Sequence, residues 1–255
     1  MNIPIDNMAV ITLDEMSHIR LMDRIDTKYV ANAALLPVIL SKMQSRFMVQ
    51  VIDSKRIANY STQYFDTNAL DFFTMHQNGK LNRQKIRIRS YVDSNLSFLE
   101  IKNKNNKGRT SKKRIPSPVS HVKAVKDFAE GLKFLNENAM FSTGLLAPVL
   151  ENSFQRMTFV NKKATERITI DVGLSFRNYH TNTSVSLDST MILELKQDGL
   201  QHSDFAEILK EQGVRRSGFS KYCYGIIFTD PNCKYNRFKR KIHIFNKNNL
   251  INQSI

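Results

Sequence analysis

Residues 84–91 read "QKIRIRSY", and the reading of this stretch decides the fold. In a β-strand successive side chains point to opposite faces, so Lys85, Arg87 and Arg89 share one face while Ile86 and Ile88 share the other. An open sheet would turn the charged face to water and mix Ser, Thr, Gln, Glu and Lys upon it. A closed sheet with apolar residues outside, under helices, would turn the same cations inward.

Other segments repeat the pattern. In "FLEIK" Phe98, Glu100 and Lys102 oppose Leu99 and Ile101; in "ILELK" Ile192, Glu194 and Lys196 oppose Leu193 and Leu195. "RITID" sets Arg167, Thr169 and Asp171 against Ile168 and Ile170, "RIDTKYV" aligns Arg24, Asp26 and Lys28, and "FQRMTF" places Arg156 opposite Met157. Same-face cations on one strand stand about 6.6 Å apart and repel by roughly 2.5 kcal/mol at an effective dielectric of 20. Open solvent screens most of that. Inside a barrel they need interleaved carboxylates or a bound anion. Patterning alone leaves two architectures open, a cationic tunnel and a two-layer sheet with a solvated basic face.

The composition agrees with a polyanionic partner. The chain has 255 residues, 41% of them hydrophobic, and a net charge of +15, enough to bury a full core and to attract nucleic acid, phosphates or an acidic membrane surface. Nucleic-acid binding by stacking would interleave aromatics with the basic residues, whereas this strand interleaves isoleucine. Two cysteines, Cys223 and Cys233, form no metal-ligand spacing and fit a reduced, cytoplasmic chain. The longest apolar run, "AALLPVIL" at 33–40, is too short to span a bilayer, and "MNIPIDNMAV" has no export-signal pattern. No Ser-His-Asp or Cys-His set is evident, the six histidines form no ligand spacing, and "NKGRTSKK" is not a P-loop.

Periodicity predicts strands over about 20–30, 47–52, 56–65, 82–92, 96–104, 109–115, 152–160, 165–171, 173–179 and 190–197. Helical spacing fits 32–45, 68–77, 120–137, 203–212 and 219–228, with Asn68, Ser120 and Ser203 as candidate N-caps. Residues 231–255 carry six Lys or Arg and no acid. They read as an irregular basic tail following a domain over 1–230, with cations suited to polyanions or an anionic lipid surface.

The ordered series "RIDTKYV", "YFDT", "KIRIRSY", "FLEIK", "SKKR", "FQRMTF", "ERITID", "ILELK" and "FSKY" resembles the VTC domain, the polyphosphate polymerase family within the CYTH-like triphosphate tunnel metalloenzymes, from about residue 20 to 226. The resemblance implies an α+β fold, an antiparallel β-barrel of about eight strands with helices packed outside. Its interior would be lined by Arg and Lys, with Mn²⁺ or Mg²⁺ held by carboxylate. It implies that Arg87 and Arg89 grip a triphosphate with Lys28 and Arg156. Lys85, Lys102, Arg167, Lys196, Lys221 and either Lys112 or Lys113 would bind further phosphates. Glu194 matches the family's metal-binding glutamate, and Glu100 either assists it or neutralises Lys102.

The implied reaction is phosphoryl transfer, either polyphosphate synthesis from ATP or hydrolysis of triphosphate, polyphosphate or nucleotide; a non-catalytic polyphosphate-binding module is the other reading. Two departures stand out. Phe154 replaces the tyrosine of a Tyr-x-Arg motif, and Arg24, Asp26 and Lys28 stand where CYTH enzymes carry E-x-E-x-K. The extra phosphate-sensing domain and membrane helices of eukaryotic members are not expected here.

Overall fold

A computed structural model describes residues 4–19, 24–124, 127–199 and 201–247. Residues 20–23 of the first expected strand, 125–126 of the expected helix 120–137 and 248–255 of the basic tail lie outside the described residues. The strands are β1 (Val10–Thr12), β2 (Arg24–Asn32), β3 (Phe47–Val51), β4 (Ala58–Thr67), β5 (Arg83–Tyr91), β6 (Leu96–Lys104), β7 (Thr110–Ser117), β8 (Leu146–Asn161), β9 (Glu166–Asn178), β10 (Ser184–Leu187) and β11 (Thr190–Asp198). The α-helices are α1 (Leu13–Ser17), α2 (Leu36–Met43), α3 (Asp71–Gln77), α4 (Ala129–Asn138), α5 (Asp204–Glu211), α6 (Lys221–Thr229) and α7 (Lys239–Lys247).

Eight strands form one path in the order β2, β11, β9, β8, β4, β5, β6, β7, each neighbouring pair antiparallel. Among the described residues the terminal strands β2 and β7 do not pair, so the path curls into a tunnel-like sheet without closing its hydrogen bonds. Part of the β2 edge is covered instead by the chain entering α6, where Ser217 N donates to Lys28 O at 2.8 Å and Arg216 bridges Tyr29.

The alternation of apolar and charged residues sets which face is which. Ile168, Ile170, Leu193 and Leu195 bury their side chains against Ile39, Leu40, Phe205 and Leu209 of α2 and α5. Ile86, Ile88, Leu99 and Ile101 join Phe72 of α3 and Leu135 of α4 in a second core. The isoleucines of "KIRIRSY" thus lie under helices, and its cations face the other way.

Helix α6 behaves differently from the others. Tyr64 and Leu150 lie on the same rung as Arg87, and α6 packs on that interior face, with Tyr222 5.2 Å from the Tyr64 ring. A β-carbon on Gly225 would stand 2.4 Å from Leu150 and 2.6 Å from Phe176, so only glycine permits this approach. The amide end of α6 is capped by Ser220, whose hydroxyl accepts from Cys223 N, and its second residue donates from the Tyr222 hydroxyl to buried Asp66. Asp66 also accepts the amides of Thr67, Phe72 and Phe73 at 2.8, 2.9 and 3.0 Å, tying β4, α3 and α6 together.

Four details depart from the sequence reading. The expected strands 165–171 and 173–179 are one strand, β9, bulged opposite Ser153 and Gln155; Gly173 takes φ +59, and the extra residue switches the inward parity from Asp171 to Leu174. Ser203 caps α5, but Asn68 does not cap α3, whose first amide binds the Thr67 hydroxyl. Ser120 caps no helix, because α4 starts at Ala129. The basic segment is not irregular, since residues 239–247 form α7 with Ile242 and Phe245 buried. Phe238, Ile242 and Phe245 recur at helical spacing and supply the apolar stripe that holds it.

Candidate functional site

The interior rungs read from the strand register. On one half they run Thr62, Arg89, Phe98 and then Tyr64, Arg87, Glu100, Arg114, with Lys85, Lys102 and Lys112 on the next. On the other they run Val30, Ile192, Asp171, Arg156, then Lys28, Glu194, Thr169, Thr158, then Asp26, Lys196, Arg167, Val160. Lys112 therefore faces inward and Lys113 outward, where its ammonium binds Asn138 of α4 at 2.6 Å.

Three carboxylates organise the cations. Glu100, 1% exposed, accepts Arg87 Nε at 2.8 Å and Nη2 at 2.7 Å, and pairs with Lys112. Asp171 accepts Arg156 Nε at 2.6 Å and Nη2 at 2.8 Å, and pairs with Lys221 from α6. Glu194 pairs with Lys28 and stays 17% exposed. Burial alone would raise all three acids, but the neighbouring cations outweigh it. Arg87 and Arg89 bring Glu100 to about 2, Lys28 and Lys196 bring Glu194 to about 2, and Arg156 with Lys221 holds Asp171 below the usual carboxylate range.

The cations outnumber these acids. The Nε of half-buried Arg89 is enclosed and without an acceptor, and desolvation with Arg87 and Arg156 lowers its pKa to about 10. Lys85 donates to the Ser220 hydroxyl at 2.9 Å; burial, with Arg87 and Lys102 close by, lowers it to about 8 despite an opposing influence of Cys223. Lys221 is likewise lowered to about 8 by burial, against the pull of Asp171, and its ammonium lies 4.1 Å from the Phe154 ring centroid. Phe154 itself stacks on Tyr60 at 5.1 Å, so a phenol stands beside the position where the expected tyrosine is missing.

At the β5 end bearing Lys85, a cavity of about 360 Å³ is lined by Asp26, Lys28, Arg83, Lys85, Lys102 and Glu194 among others. Arg167 serves another purpose: its Nη2 donates to the carbonyls of Met16 and Ile19 at 2.9 and 3.2 Å, tying α1 to the sheet. Lys196 sits between Asp26 and Arg167 in register.

Among the described residues, the carboxylates lining this cavity are Glu194 and Asp26. Glu194 and Asp26 are diagonal neighbours on adjacent strands and line the same cavity, offering hard oxygen ligands of the kind Mg²⁺ and Mn²⁺ take. Glu100 is enclosed by Arg87 and Lys112, so the sequence-based pairing of Glu100 with Glu194 is less suitable than Asp26. Asp26 was visible on the face of "RIDTKYV", but its rung beside Glu194 required the β2 to β11 register. Among the described residues, the one group of three ligands close enough to share an ion is His202, Asp204 and Glu207 at the surface.

The VTC domain family model matches residues 23–229. The chain belongs to the VTC domain family. A comparison with curated protein sequences found no match. Among solved structures, a candidate adenylyl cyclase from Hippeastrum, described as having a dominant triphosphatase activity, is similar at 14% identity and TM-score 0.48, over 81% of this chain and 96% of that one. Candidate adenylate cyclases from Vibrio parahaemolyticus and Bacillus halodurans are similar at 11% and 13% identity, with TM-scores of 0.46 and 0.45. They cover 79% and 78% of this VTC chain and 96% of each of their own. Among the described residues no helix is long and apolar enough to cross a membrane.

Arg87 and Arg89 separate experimentally. Arg89→Ala is expected to weaken triphosphate binding by about 1.5–3 kcal/mol, the range for hydrogen bonds to charged groups, while the ligand-free protein melts at the same or a higher temperature. Arg87→Ala should lower the melting temperature, because Glu100 loses its main partner. Calorimetric titration and thermal melts of both variants check this.

Proposed function

We propose that the tunnel transfers the γ-phosphoryl group of ATP to the end of a polyphosphate chain. One observation carries the reading: the interior holds more cations than its carboxylates neutralise, with Arg89 Nε buried and lacking an acceptor. A bound polyanion supplies the missing charge. Phosphoryl transfer asks little covalent help of a protein, since positioning and charge neutralisation provide most of the rate.

In this reading Arg87, Arg89 and Arg156 orient the triphosphate, and Lys28 and Lys221 face the transferring group. Lys85, Lys102, Lys112 and Lys196 hold further phosphate oxygens, whereas Lys113 and Arg167 fall outside the set. Glu194 and Asp26 would hold the divalent ion, which when bound neutralises charge developing on the phosphate oxygens. A terminal oxygen of the chain forms the new bond to the γ-phosphorus as the bond to the β–γ bridging oxygen breaks, and ADP departs with that electron pair. The favoured acceptor is polyphosphate, not water, because the cationic lining continues past Arg87 to Lys85, Arg83, Lys102 and Lys104 around the cavity that Glu194 and Asp26 also line.

The test is incubation of the purified protein with ATP and Mn²⁺ or Mg²⁺, resolving polyphosphate, ADP and phosphate. Polyphosphate with ADP supports synthesis, ADP with phosphate alone makes the enzyme a hydrolase, and no turnover leaves a binding module.

The two lysines near pKa 8 give a pH signature. Bound phosphate favours their charged forms, so binding at pH 8 should take up about one proton in total from two half-ionised groups. Affinity should fall as pH rises from 8 towards 10. Titration calorimetry in buffers of different ionisation enthalpy measures the uptake; a buffer-independent enthalpy at pH 8 would remove both lysines from the phosphate site.

A further inference from the structure

Helix α7 lies beyond the residues matched by the family, yet it borders the cationic cavity. Its apolar stripe is anchored on the entry to α6: Phe238 meets Tyr224 edge-on at 5.3 Å, and Phe245 stands 5.5 Å from Tyr224 and 6.2 Å from Phe219. Lys241 occupies the same helical stripe, three residues after Phe238 and four before Phe245. Its ammonium reaches over the chain just before α6, where a β-carbon at Gly218 would stand 3.3 Å from it. It lines the cavity with Lys28, Arg83, Lys85, Lys102 and Lys104, six cations against Asp26 and Glu194.

Distance along the strand gives this cavity its meaning. Arg89, Arg87, Lys85 and Arg83 share a face of β5, so the ladder from Arg89 to Arg83 extends about 20 Å. A triphosphate held at Arg87 and Arg89 is far too short to reach the end of it. We infer that α7 completes the mouth of the tunnel and that Lys241 grips phosphates beyond the triphosphate site, favouring long polyphosphate over triphosphate. The inference rests on the polyphosphate reading above.

The Lys241 contact is exposed to solvent, so it sits at the weak end of charge-assisted interactions. Lys241→Ala should lower affinity for a long polyphosphate about five- to tenfold and change triphosphate affinity by less than about twofold. Lys241→Arg, which keeps the charge, should restore most of the long-chain affinity. Arg240→Ala removes the same charge from an exposed position that does not line the cavity, and should leave both affinities near wild type.

Calorimetric titration of the full chain with sodium triphosphate and with a long-chain polyphosphate at one salt concentration reads all four proteins, with thermal melts confirming that each is folded. Equal losses for both ligands in Lys241→Ala, or equal losses in the Lys241 and Arg240 variants, would overturn the inference. A wild-type protein that binds triphosphate but binds long chains no more tightly would also overturn it, leaving the triphosphate site intact. A wild-type protein that binds neither would instead overturn the functional reading on which the inference rests.

Discussion

Glu194→Gln is expected to reduce metal-dependent turnover at least about 100-fold, because a divalent ion contributes several kcal/mol of charge stabilisation during transfer. The substitution preserves shape and removes one charge. Glu194 is ionised at neutral pH, its pKa held at about 2 as Lys28 and Lys196 overcome the cost of burial. It is also partly exposed at the cavity with Asp26. Triphosphate affinity without metal should stay the same or rise, since Lys28 loses its carboxylate partner and the interior becomes more positive. Metal titrations of turnover and metal-free calorimetry separate the two effects. Full turnover by Glu194→Gln would move the ion to another carboxylate, whereas parallel loss of turnover and metal-free binding would indicate damage to the cation frame.

The alternation in "KIRIRSY" carries the sheet's two faces in the sequence because each face has its own surroundings: helices for Ile86 and Ile88, the polar interior for Lys85, Arg87 and Arg89. What alternation cannot encode is which strand lies beside which. Asp26 became a ligand candidate only when Lys28 was found opposite Glu194. Glu100 lost that role because Arg87 and Lys112 converge on it. The difference between Arg87 and Arg89 is of the same kind, since identical residues two positions apart end with a buried carboxylate and with an unaccepted Nε.

Helices were harder where their apolar stripe was narrow or faced an unexpected neighbour. The anchors Phe238, just before α7, and Ile242 and Phe245 within it are separated by lysine, arginine, histidine and Ile244, so charge density conceals the 3.6-residue period. In α6 the run of buried residues from Tyr222 to Thr229 marks a helix surrounded by protein, but its position on the interior face depends on Gly225 meeting Leu150 and Phe176. Arg167 resembled a phosphate ligand by alternation alone. The carbonyls that occupy it come from Met16 and Ile19, about 150 residues away in the chain.

Asp171→Ala is expected to destabilise the folded protein by about 3–5 kcal/mol, the cost of breaking a buried ion pair from one side. For a chain of this size that lowers the melting temperature by roughly 6–20 °C. The substitution strands Arg156 and Lys221 inside, close to Arg89. The sign of the pH response follows from Lys221. Its folded pKa of about 8 lies below the unfolded value of about 10.4, so between these values the unfolded chain holds more protons and stability rises with pH. Removing Asp171 takes away the partner that opposes this depression, and the rise should begin at lower pH in the variant. Asp171 acts in the opposite range: its depressed folded pKa contributes stability above the unfolded value of about 3.9 that is lost as pH falls below it. Asp171→Ala combined with Lys221→Met should recover part of the loss, because one stranded charge is gone. Added triphosphate should raise the melting temperature more for Asp171→Ala than for wild type, since the freed cations gain an anion. Denaturant and thermal unfolding across pH 2–10 measures each term. An unchanged melting temperature for Asp171→Ala would mean that water, not the carboxylate, solvates Arg156 and Lys221, and that the tunnel interior is far wetter than its burial indicates.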